Sequence, residues 1–375
     1  TGVNDSNQDG HQDYDISLSA AGHEMDDNPV VTTLAGSSSP GSANGTGTAA
    51  SFNNPRGITT DGTNLYVADR ENNIIRKIVK STGVVTTLAG SGSIGSTNGT
   101  GTAASFNKPD GITTDGTNVY VADSDNNMIR KIVISSGEVT TLASGFNRPR
   151  GITIDVTNLY VADTDNNKIR KIVISTGAVT TVAGTGSQGS ENGTGTSASF
   201  KYPMGITTDG TNLYVADGMN HLIRKIVIST GAVTTVAGTS NTNGFANGTG
   251  TSAKFFWPLN IVTDGSNLYV ADQGNHLIRK IVISSGAVTT LAGSGTEGSA
   301  DGIGTSATFK KPSSIAIDGT SLYVADHDNH KIRKIDLRET ETANLTLHNL
   351  DDDLNVKVSV ASSDTSEATV SPATL

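Results

Sequence analysis

The sequence predicts an all-β chain folded as a six-bladed β-propeller, on three observations. A stretch that first runs from Gly57 to Asp69 occurs six times with few changes, each time followed by Ile-Arg-Lys-Ile. A Val-Thr-Thr segment also occurs six times, with starts 54, 54, 40, 54 and 55 residues apart, a period typical of propellers and solenoids. The 43 glycines and the abundant Thr and Ser favour short strands joined by tight turns.

Each repeat contains the four strands of one blade. In the first copy, the small and apolar segment 57–61 suits the crowded innermost strand near the axis. Residues 61–64 then form a tight turn, in which the glycine needs a positive φ. The second strand, 65–68, is expected to be buried on both faces because neighbouring blades stack on it. The third and outer strands follow at 74–79 and 84–89, and four strands per repeat make one propeller blade.

The order of the repeats predicts how the ring closes. The first Val-Thr-Thr, at Val31, precedes any innermost strand, whereas the last repeat ends at 334–337 without an outer strand after it. We therefore expect residues 30–35 to complete the last blade and to join the two ends of the propeller. Such closure hides the sheet edges that an open array exposes.

The repeats resemble the NHL repeat family in four motifs: a Pro-x-Gly-Ile start, Leu-Tyr-Val-Ala-Asp, an Asn-Asn or Asn-His pair, and Ile-Arg-Lys-Ile. The resemblance covers residues 30–337 and implies an NHL-type propeller. It leaves function open, since proteins with this repeat include peptide-amidating lyases, bacterial surface proteins and RNA-binding regulators. The RNA-binding relatives use a basic face, which this acidic chain does not show. The lyases use zinc-ligating histidines, whereas His221, His276 and His330 occupy one repeated position and form no evident cluster.

The two flanks resemble pieces of a second domain type. Segments 9–18 and 356–360 alternate apolar and polar residues, as half-buried strands do. They resemble strands of the Calx-β or cadherin-like sandwich domains of large bacterial surface proteins. We therefore expect three regions: the last sandwich strands and a linker in 1–29, the propeller in 30–337, and a linker with the first and middle sandwich strands in 338–375. The chain then reads as a segment cut through a sandwich domain.

An acidic segment of the first flank has the spacing of a calcium loop. Asp5, Asn7 and Asp9 place oxygen atoms at alternate residues, a glycine permits the sharp turn, and Asp13 follows. The loop is incomplete, because Ile16 stands where a bidentate Glu belongs. Two interpretations stay open: a Ca²⁺ site formed by these four polar residues, or an acidic hairpin of the sandwich domain. No other cofactor is expected.

The aspartates that recur in every repeat are expected to serve the scaffold. Six identical copies of Asp69 cannot all be catalytic, and each repeat carries an arginine such as Arg76. We expect each of these aspartates to cap the loop that follows it and to pair with the arginine of its own blade. Asp61 and its equivalents are expected to bond the backbone of the tight turn.

Two sets of positions break the sixfold symmetry, as a ligand site in such a ring requires. The residue after the proline of the innermost strand varies among the repeats, and the loop after the second strand varies from Arg70-Glu71 to His327-Asp328. Both sets should lie on the face where propellers usually bind ligands. The predicted ligand or partner face therefore consists of Arg56, Asp110, Arg150, Met204, Trp257, Leu259 and His327. Ordinary drift of exposed loop residues is the alternative.

Glycine-rich connections precede five of the six innermost strands and are missing between residues 143 and 147. Their glycines lack the Gly-Lys-Ser and strand-to-helix context of a phosphate-binding loop. We expect folded surface loops anchored by Phe52, Phe106 and their equivalents. The missing connection lowers one side of the rim, which is either a docking place for a partner or simply a lost loop.

Composition narrows the function classes. The chain has no cysteine, which excludes a thiolate metal site or a cysteine nucleophile. Its formal net charge of -10 argues against nucleic acid or an anionic membrane surface as a partner. No apolar run reaches membrane-spanning length, so no membrane insertion is expected. No Ser-His-Asp trio and no paired acid and base emerge from the variable positions.

The sequence therefore favours a non-catalytic extracellular or cell-surface bacterial protein with a structural or adhesive role. Split sandwich strands at both ends suggest a fibre joined head to tail, with copies of itself or neighbouring domains of the same protein as partners. Glycan or peptide binding on the variable face is one alternative. The other is a metal-dependent lyase or lactonase, which is disfavoured by small or apolar residues facing the channel, near Gly57, Gly111, Gly151, Gly205 and Ile261.

Overall fold

The computed structural model describes residues 29–337, which form six antiparallel sheets, and the prediction of an all-β six-bladed propeller is confirmed. Blades 1 to 6 are numbered by their innermost strands, which are β3 (Pro55–Thr60), β8 (Pro109–Thr114), β12 (Pro149–Ile154), β17 (Pro203–Thr208), β22 (Pro258–Thr263) and β27 (Pro312–Asp318). The second strands are β4 (Asn64–Asp69), β9 (Asn118–Asp123), β13 (Asn158–Asp163), β18 (Asn212–Asp217), β23 (Asn267–Asp272) and β28 (Ser321–Asp326).

The third and outer strands complete each blade. The third strands are β5 (Ile74–Val79), β10 (Met128–Val133), β14 (Lys168–Val173), β19 (Leu222–Val227), β24 (Leu277–Val282) and β29 (Lys331–Asp336). The outer strands are β6 (Val84–Ala89), β11 (Glu138–Ser144), β15 (Ala178–Ala183), β20 (Ala232–Ala237), β25 (Ala287–Ala292) and, in blade 6, β1 (Val30–Ala35).

Short elements decorate this frame. Two-residue strands extend the outer edge of every blade except blade 3: β2 (Gly45–Thr46), β7 (Gly99–Thr100), β16 (Gly193–Thr194), β21 (Gly248–Thr249) and β26 (Gly302–Ile303). Each is followed by a 3₁₀ turn: Gly47–Ala49, Gly101–Ala103, Gly195–Ser197, Gly250–Ser252 and Gly304–Ser306. A 3₁₀ turn also follows each second strand: Arg70–Asn72, Ser124–Asn126, Thr164–Asn166, Gly218–Asn220, Gln273–Asn275 and His327–Asn329.

The hydrophobic core lies between blades rather than within one. In the layer between blades 1 and 2, Tyr66 and Ile75 of one sheet pack with Phe106, Val119 and other buried side chains of the next. The second strands are buried on both faces, as the sequence predicted: Leu65 and Tyr66, which point to opposite sides of the same sheet, are both fully buried. Burying two faces of one strand requires stacked neighbours, so the repeat folds as part of a ring.

The innermost strands approach one another closely at a repeated glycine. A Cβ atom on Gly111 would lie 2.0 Å from the carbonyl oxygen of Arg150, and one on Gly151 would lie 2.2 Å from that of Met204. Blades 5 and 6 replace the glycine with Asn260 and Ser314. The Ile315 N–H donates to Asn260 Oδ1 at 3.1 Å, and the Ile58 N–H donates to Ser314 Oγ at 3.3 Å. The six inner strands therefore meet in a tight ring.

The outer strand of blade 6 comes from the beginning of the described residues. β1 pairs antiparallel with β29, with Val31 opposite Ile335 and Thr32 opposite Lys334. Val31 is fully buried in the layer between blades 5 and 6. The Gly304 N–H donates to the Pro29 carbonyl at 2.8 Å. The predicted sandwich strands in 1–29 and 338–375 lie outside the described residues, apart from residue 29.

The glycine-rich connections are folded, as the sequence predicted. Each lays its two-residue strand against the outer strand of the blade that it introduces, for example Gly45 opposite Val85. The anchoring Phe52 and Phe106 are fully buried. Blade 3 lacks this connection and keeps four strands, so its rim is lower.

Candidate binding site at the channel mouth

The recurring aspartate and arginine form an ion pair within each blade, which we call the lock; it is fully buried in every blade except blade 3, where Arg170 is partly exposed. In blade 1, Arg76 Nη1 donates to Asp69 Oδ2 at 3.0 Å, and neither side chain is exposed. Asp69 Oδ1 accepts the N–H of Asn53 at 2.8 Å, and its Oδ2 accepts from Asn72 Nδ2 at 2.8 Å. The predicted pairing with arginine is confirmed. The predicted capping of the following loop takes another form: Asp69 bonds no backbone N–H of the 3₁₀ turn, but it holds that turn through the Asn72 side chain and the preceding loop through the Asn53 N–H.

The arginine also holds the glycine-rich connection. Arg76 donates to the carbonyls of Ser51 and Ala43 at 2.9 Å each and to Asn44 Oδ1 at 3.0 Å. Its guanidinium lies 5.2 Å from the centre of the Phe52 ring. Burial raises the pKa of Asp69 to about 6, against the lowering effect of its hydrogen-bond donors and of Arg76. The carboxylate is therefore ionised at neutral pH, and the lock is an ion pair.

The inner-turn aspartates bond the turn, as the sequence predicted. Asp61 Oδ1 accepts the N–H groups of Thr63 and Asn64, and Tyr66 Oη donates to Asp61 Oδ2 at 2.8 Å. Burial acts to raise the pKa of Asp61, but these hydrogen bonds outweigh it and lower that pKa. Gly62 takes the predicted positive φ, at 90°.

The second residue of each Asn-Asn or Asn-His pair joins neighbouring blades. Asn73 adopts a left-handed conformation with φ 54°, and its Oδ1 accepts the N–H of Lys108 in blade 2 at 2.9 Å. The histidines do the same with a ring nitrogen: His221 Nδ1 accepts from the Trp257 N–H at 3.2 Å and His276 Nδ1 from Lys311 at 3.1 Å. Asn and His suit this place because they tolerate positive φ and offer an acceptor. The three histidines are therefore blade connectors.

We expect the acid stability of the ring to depend on these histidines. Burial lowers the pKa of His221, His276 and His330 from the usual 6.5, so protons bind the unfolded chain preferentially as pH falls below that value. Protonation of Nδ1 also removes the acceptor. The triple change His221→Asn, His276→Asn, His330→Asn copies the residue of blades 1 to 3, and it should leave stability at pH 7.5 nearly unchanged and raise it at pH 5.

Urea unfolding of both proteins at the two pH values measures this difference. The buried aspartates are shared by both proteins, so their own titration cancels in the comparison. Each of the three histidines accepts one hydrogen bond between blades, and such a bond contributes about 0.5–1.5 kcal/mol to the free energy of unfolding. The gain in stability at pH 5 should be of this order for each histidine replaced. An equal stability difference at both pH values would contradict the connector role.

The predicted face lies around one end of the central channel. Two consecutive residues from every innermost strand line a cavity of about 20 Å³ there. We call this site the channel mouth; it is lined by Arg56, Asp110, Arg150, Met204, Leu259 and Ser313, and by Gly57, Gly111, Gly151, Gly205, Asn260 and Ser314. The structure thus brings together five of the seven predicted face residues. Ile261, predicted to lie near the channel, is instead buried in the core between blades 4 and 5, and Asn260 lines the channel.

Charge is concentrated on one side of the channel mouth. Asp110 Oδ2 lies 3.5 Å from Arg56 Nε, 3.9 Å from Arg70 Nε and 4.0 Å from Arg150 Nε. Burial lowers the pKa of Arg56 to about 10, partly offset by Asp110. Burial acts to raise the pKa of Asp110, but the three arginines outweigh it and lower that pKa. Arg70 in turn contacts Glu71, which is partly exposed.

The other side of the channel mouth is apolar. Met204 and Leu259 are buried, and Trp257 is 42% exposed beside them. Met204 and Trp257 flank Gly218, whose added Cβ would lie 2.7 Å from Met204 Cγ and 3.3 Å from Trp257 Cδ1. Arg150 Nη1 lies 3.6 Å from Met204 Sδ, so the charged and apolar sides touch. Ser313 Oγ lies within 3.0 Å of the carbonyls of both Pro55 and Arg56.

The remaining predicted residues fall elsewhere. His327 does not line the cavity; its Nδ1 lies 2.6 Å from Asp328 Oδ1, and burial, the largest influence, lowers its pKa. Asp5, Asn7, Asp9 and Asp13 lie outside the described residues, so the Ca²⁺ site stays a prediction. Within residues 29–337, no three His, Asp or Glu side chains stand together as metal ligands. In the same range, no helix is long and apolar enough to cross a membrane.

Sequence reasoning missed Arg70 as a member of the charged group. Arg70 is one of the positions that vary among the repeats, but it is far from Asp110 in the sequence, so nothing in the sequence indicates that the two side chains meet. The signal available was its place in the variable loop after the second strand, where the structure forms a 3₁₀ turn that begins at Arg70. The left-handed residues before each proline, such as Lys108 at φ 49° and Trp257 at φ 57°, were also missed. They are unexpected because residues before proline favour extended backbone.

No family model matches the chain. The chain is 30% identical over 338 residues to NHL repeat-containing protein 2 of Bos taurus, which covers 83% of this chain and 42% of that protein. It therefore spans less than half the length of this curated relative.

Solved structures share the fold at lower identity. An auxiliary nutrient binding protein from Bacteroides thetaiotaomicron has a TM-score of 0.66 at 19% identity, covering 82% of this chain and 76% of that one. A gluconolactonase from Xanthomonas campestris has a TM-score of 0.56 at 12% identity, covering 83% and 90%. The chain is thus a six-bladed propeller with NHL-repeat homologues.

Proposed function

We propose that residues 29–337 form a non-catalytic binding module that takes its ligand at the channel mouth. The observation that carries this proposal is the loss of symmetry at that place. Around the mouth the blades contribute Arg, Asp, Arg, Met, Leu and Ser at one equivalent position, while the locks and turns beneath them repeat almost unchanged. The stability of the ring alone does not require such a division into a charged and an apolar side.

A glycan or a peptide is the ligand that suits such a face. Trp257 offers an exposed aromatic ring, and the arginines offer donors for polar groups. The auxiliary nutrient binding protein of similar fold supports a binding role and, with it, a place at the bacterial surface or outside the cell. We also propose that β1 closes the ring, because a site at the axis needs all six blades held in place.

An enzyme of the lactonase or lyase kind is the second candidate, favoured by the fold shared with the gluconolactonase. The chemistry of the lining residues favours binding instead. The one carboxylate that lines the mouth, Asp110, is surrounded by three arginines that lower its pKa, which makes it a poor base. Fibre assembly through residues 1–29 and 338–375 stays a prediction, since those flanks lie outside the described residues apart from residue 29.

Screening of glycan and peptide arrays with the labelled protein tests the binding role. We expect hits whose signal falls at least about tenfold in Trp257→Ala, as expected for loss of a central aromatic anchor. Val156→Thr is the matched control, since Val156 is 98% exposed in the tight turn of blade 3. Blank arrays, or hits that both variants weaken equally, would speak against binding at the channel mouth.

A further inference from the structure

We propose that the channel mouth binds a carboxylate group whose bearer places an apolar group against the Met204 side. The inference rests on the proposed binding function and names the chemical class of its ligand. It depends on three features of the described residues: a local excess of positive charge, buried donors without acceptors, and an apolar wall next to both.

The charge excess is local and runs against the charge of the chain. Three guanidinium groups, of Arg56, Arg70 and Arg150, face the single carboxylate of Asp110. Glu71 engages Arg70 from the more exposed side. One positive charge is left unbalanced, although the chain as a whole has a net charge of -10. A site partly shielded from water strengthens the attraction of such a charge for an anion.

The donors at this place are not satisfied. The Nε atoms of Arg56, Arg70 and Arg150 and Oδ2 of Asp110 are buried and form no hydrogen bond within the described residues, a property that the Nε atoms of Arg76 and its equivalents share. The Nε to Oδ2 distances of 3.5 to 4.0 Å exceed the usual 2.7–3.2 Å of an N–H···O bond. Arg56 and Arg150 differ from Arg76 and its equivalents in lining a cavity, so a small acceptor from outside can reach them and pair with their donors.

The scaffold does not require these charges. Blades 4, 5 and 6 build the same backbone with Met204, Leu259 and Ser313 at the equivalent position. The arginines that recur in every blade are of the Arg76 type, each bonded to its own aspartate and, except in blade 3, to the glycine-rich connection. The ring can therefore be stable without the charged side chains of Arg56, Asp110 and Arg150 at the channel mouth.

The size and the lining of the site select the anion. A cavity of about 20 Å³ has room for a water molecule or for a group of similar size. The negative charge of Asp110 repels a dianion more strongly than a monoanion. The site therefore favours a monoanion such as a carboxylate over a phosphate. Met204 touches Arg150, Leu259 lines the same cavity, and Trp257 lies near Met204 across Gly218. An apolar group one or two bonds away from the carboxylate therefore meets an apolar wall.

Titration with 3-phenylpropionate, its amide and acetate, followed by NMR, tests the inference. We expect the acid to bind at least about tenfold more tightly than the amide, because charge-assisted hydrogen bonds are roughly twice as strong as neutral ones. Acetate should bind more weakly than the acid, since it lacks the apolar group. Binding of the acid should weaken as NaCl is added.

Four variants assign the effect to residues. Arg150→Gln and Arg56→Gln should each weaken binding of the acid about tenfold or more, and Asp110→Asn should strengthen it. Arg148→Gln is the matched control, because that arginine is 40% exposed and pairs with Asp125 and Asp165 outside the cavity. Thermal melts identify any variant that fails to fold, and the comparison of acid with amide on the unchanged protein needs no variant.

The outcomes separate this inference from the proposed function. If the amide binds as well as the acid and Trp257→Ala weakens both, the binding function stands and the carboxylate inference falls. Equal weakening by Arg148→Gln and Arg150→Gln, or no binding of the acid at all, also overturns the inference.

Discussion

Replacing Arg224 with methionine should lower the free energy of unfolding by about 3–5 kcal/mol, the range for removing one partner of a buried ion pair. Arg224 is fully buried and donates to Asp217 Oδ2 at 3.0 Å. It also donates to the carbonyls of Ser199 and Glu191 and to Asn192 Oδ1. Methionine fills much of the volume but leaves the Asp217 carboxylate buried without its cation and releases the connection from the blade.

The equivalent change in blade 3, Arg170→Met, should cost less, about 1–3 kcal/mol, as for a single charged hydrogen bond. Within the described residues Arg170 donates to Asp163 alone, at 2.9 Å, and its side chain is 18% exposed because the glycine-rich connection is missing there. Water can therefore reach the site after the substitution. The two variants thus compare the same pair with and without its covering loop.

Urea unfolding followed by far-UV circular dichroism measures both losses. Lys225→Met serves as a control beside Arg224, because Lys225 is half-buried on the same strand and makes no comparable lock; a change within about 0.5 kcal/mol is expected for such a position. If Arg170→Met and Arg224→Met cost the same, the glycine-rich connections contribute nothing to stability through the arginine.

The scaffold could be predicted because the residues that form each of its features recur in all six repeats. The period, the double burial of Leu-Tyr-Val-Ala and the pairing of Asp69 with Arg76 all follow from residues that recur together. The one repeat that differs in length was also informative. The short spacing before blade 3 predicted a missing loop, and in the structure this loss leaves Arg170 partly exposed.

The channel mouth was predictable only in outline. Variation at one position in the repeat pointed to Arg56, Asp110 and Arg150, but their meeting depends on the inner strands being packed glycine against backbone. The contribution of Arg70 depends on a 3₁₀ turn reaching the next blade. The β-bulge after the proline of each inner strand also shifts the side-chain alternation, which is why Asn260 and not Ile261 lines the channel. The alternation of apolar and polar residues in the sequence does not reveal where a β-bulge shifts the side chains.

The pairing of β1 with β29 leads to a second prediction of large effect. A disulfide between Thr32→Cys and Lys334→Cys should form readily and stabilise the ring, because these residues are directly opposite each other in an antiparallel pair. The chain has no cysteine of its own, so no competing disulfide can form. Mass spectrometry after mild oxidation detects the bond.

The equivalent pair in blade 1 provides the matched control. Thr86 lies opposite Lys77 in the same register, but a bond between cysteines there closes only a hairpin. The closing bond spans about three hundred residues and the control about ten, so chain entropy predicts an advantage of about 3 kcal/mol for the closing bond. Thermal unfolding of the oxidised and reduced forms of both proteins gives the comparison. Failure of the closing disulfide to form, or equal stabilisation by both bonds, would show that β1 does not hold blade 6 to blade 1 in solution; a site at the axis would then lack the closed ring on which its geometry depends.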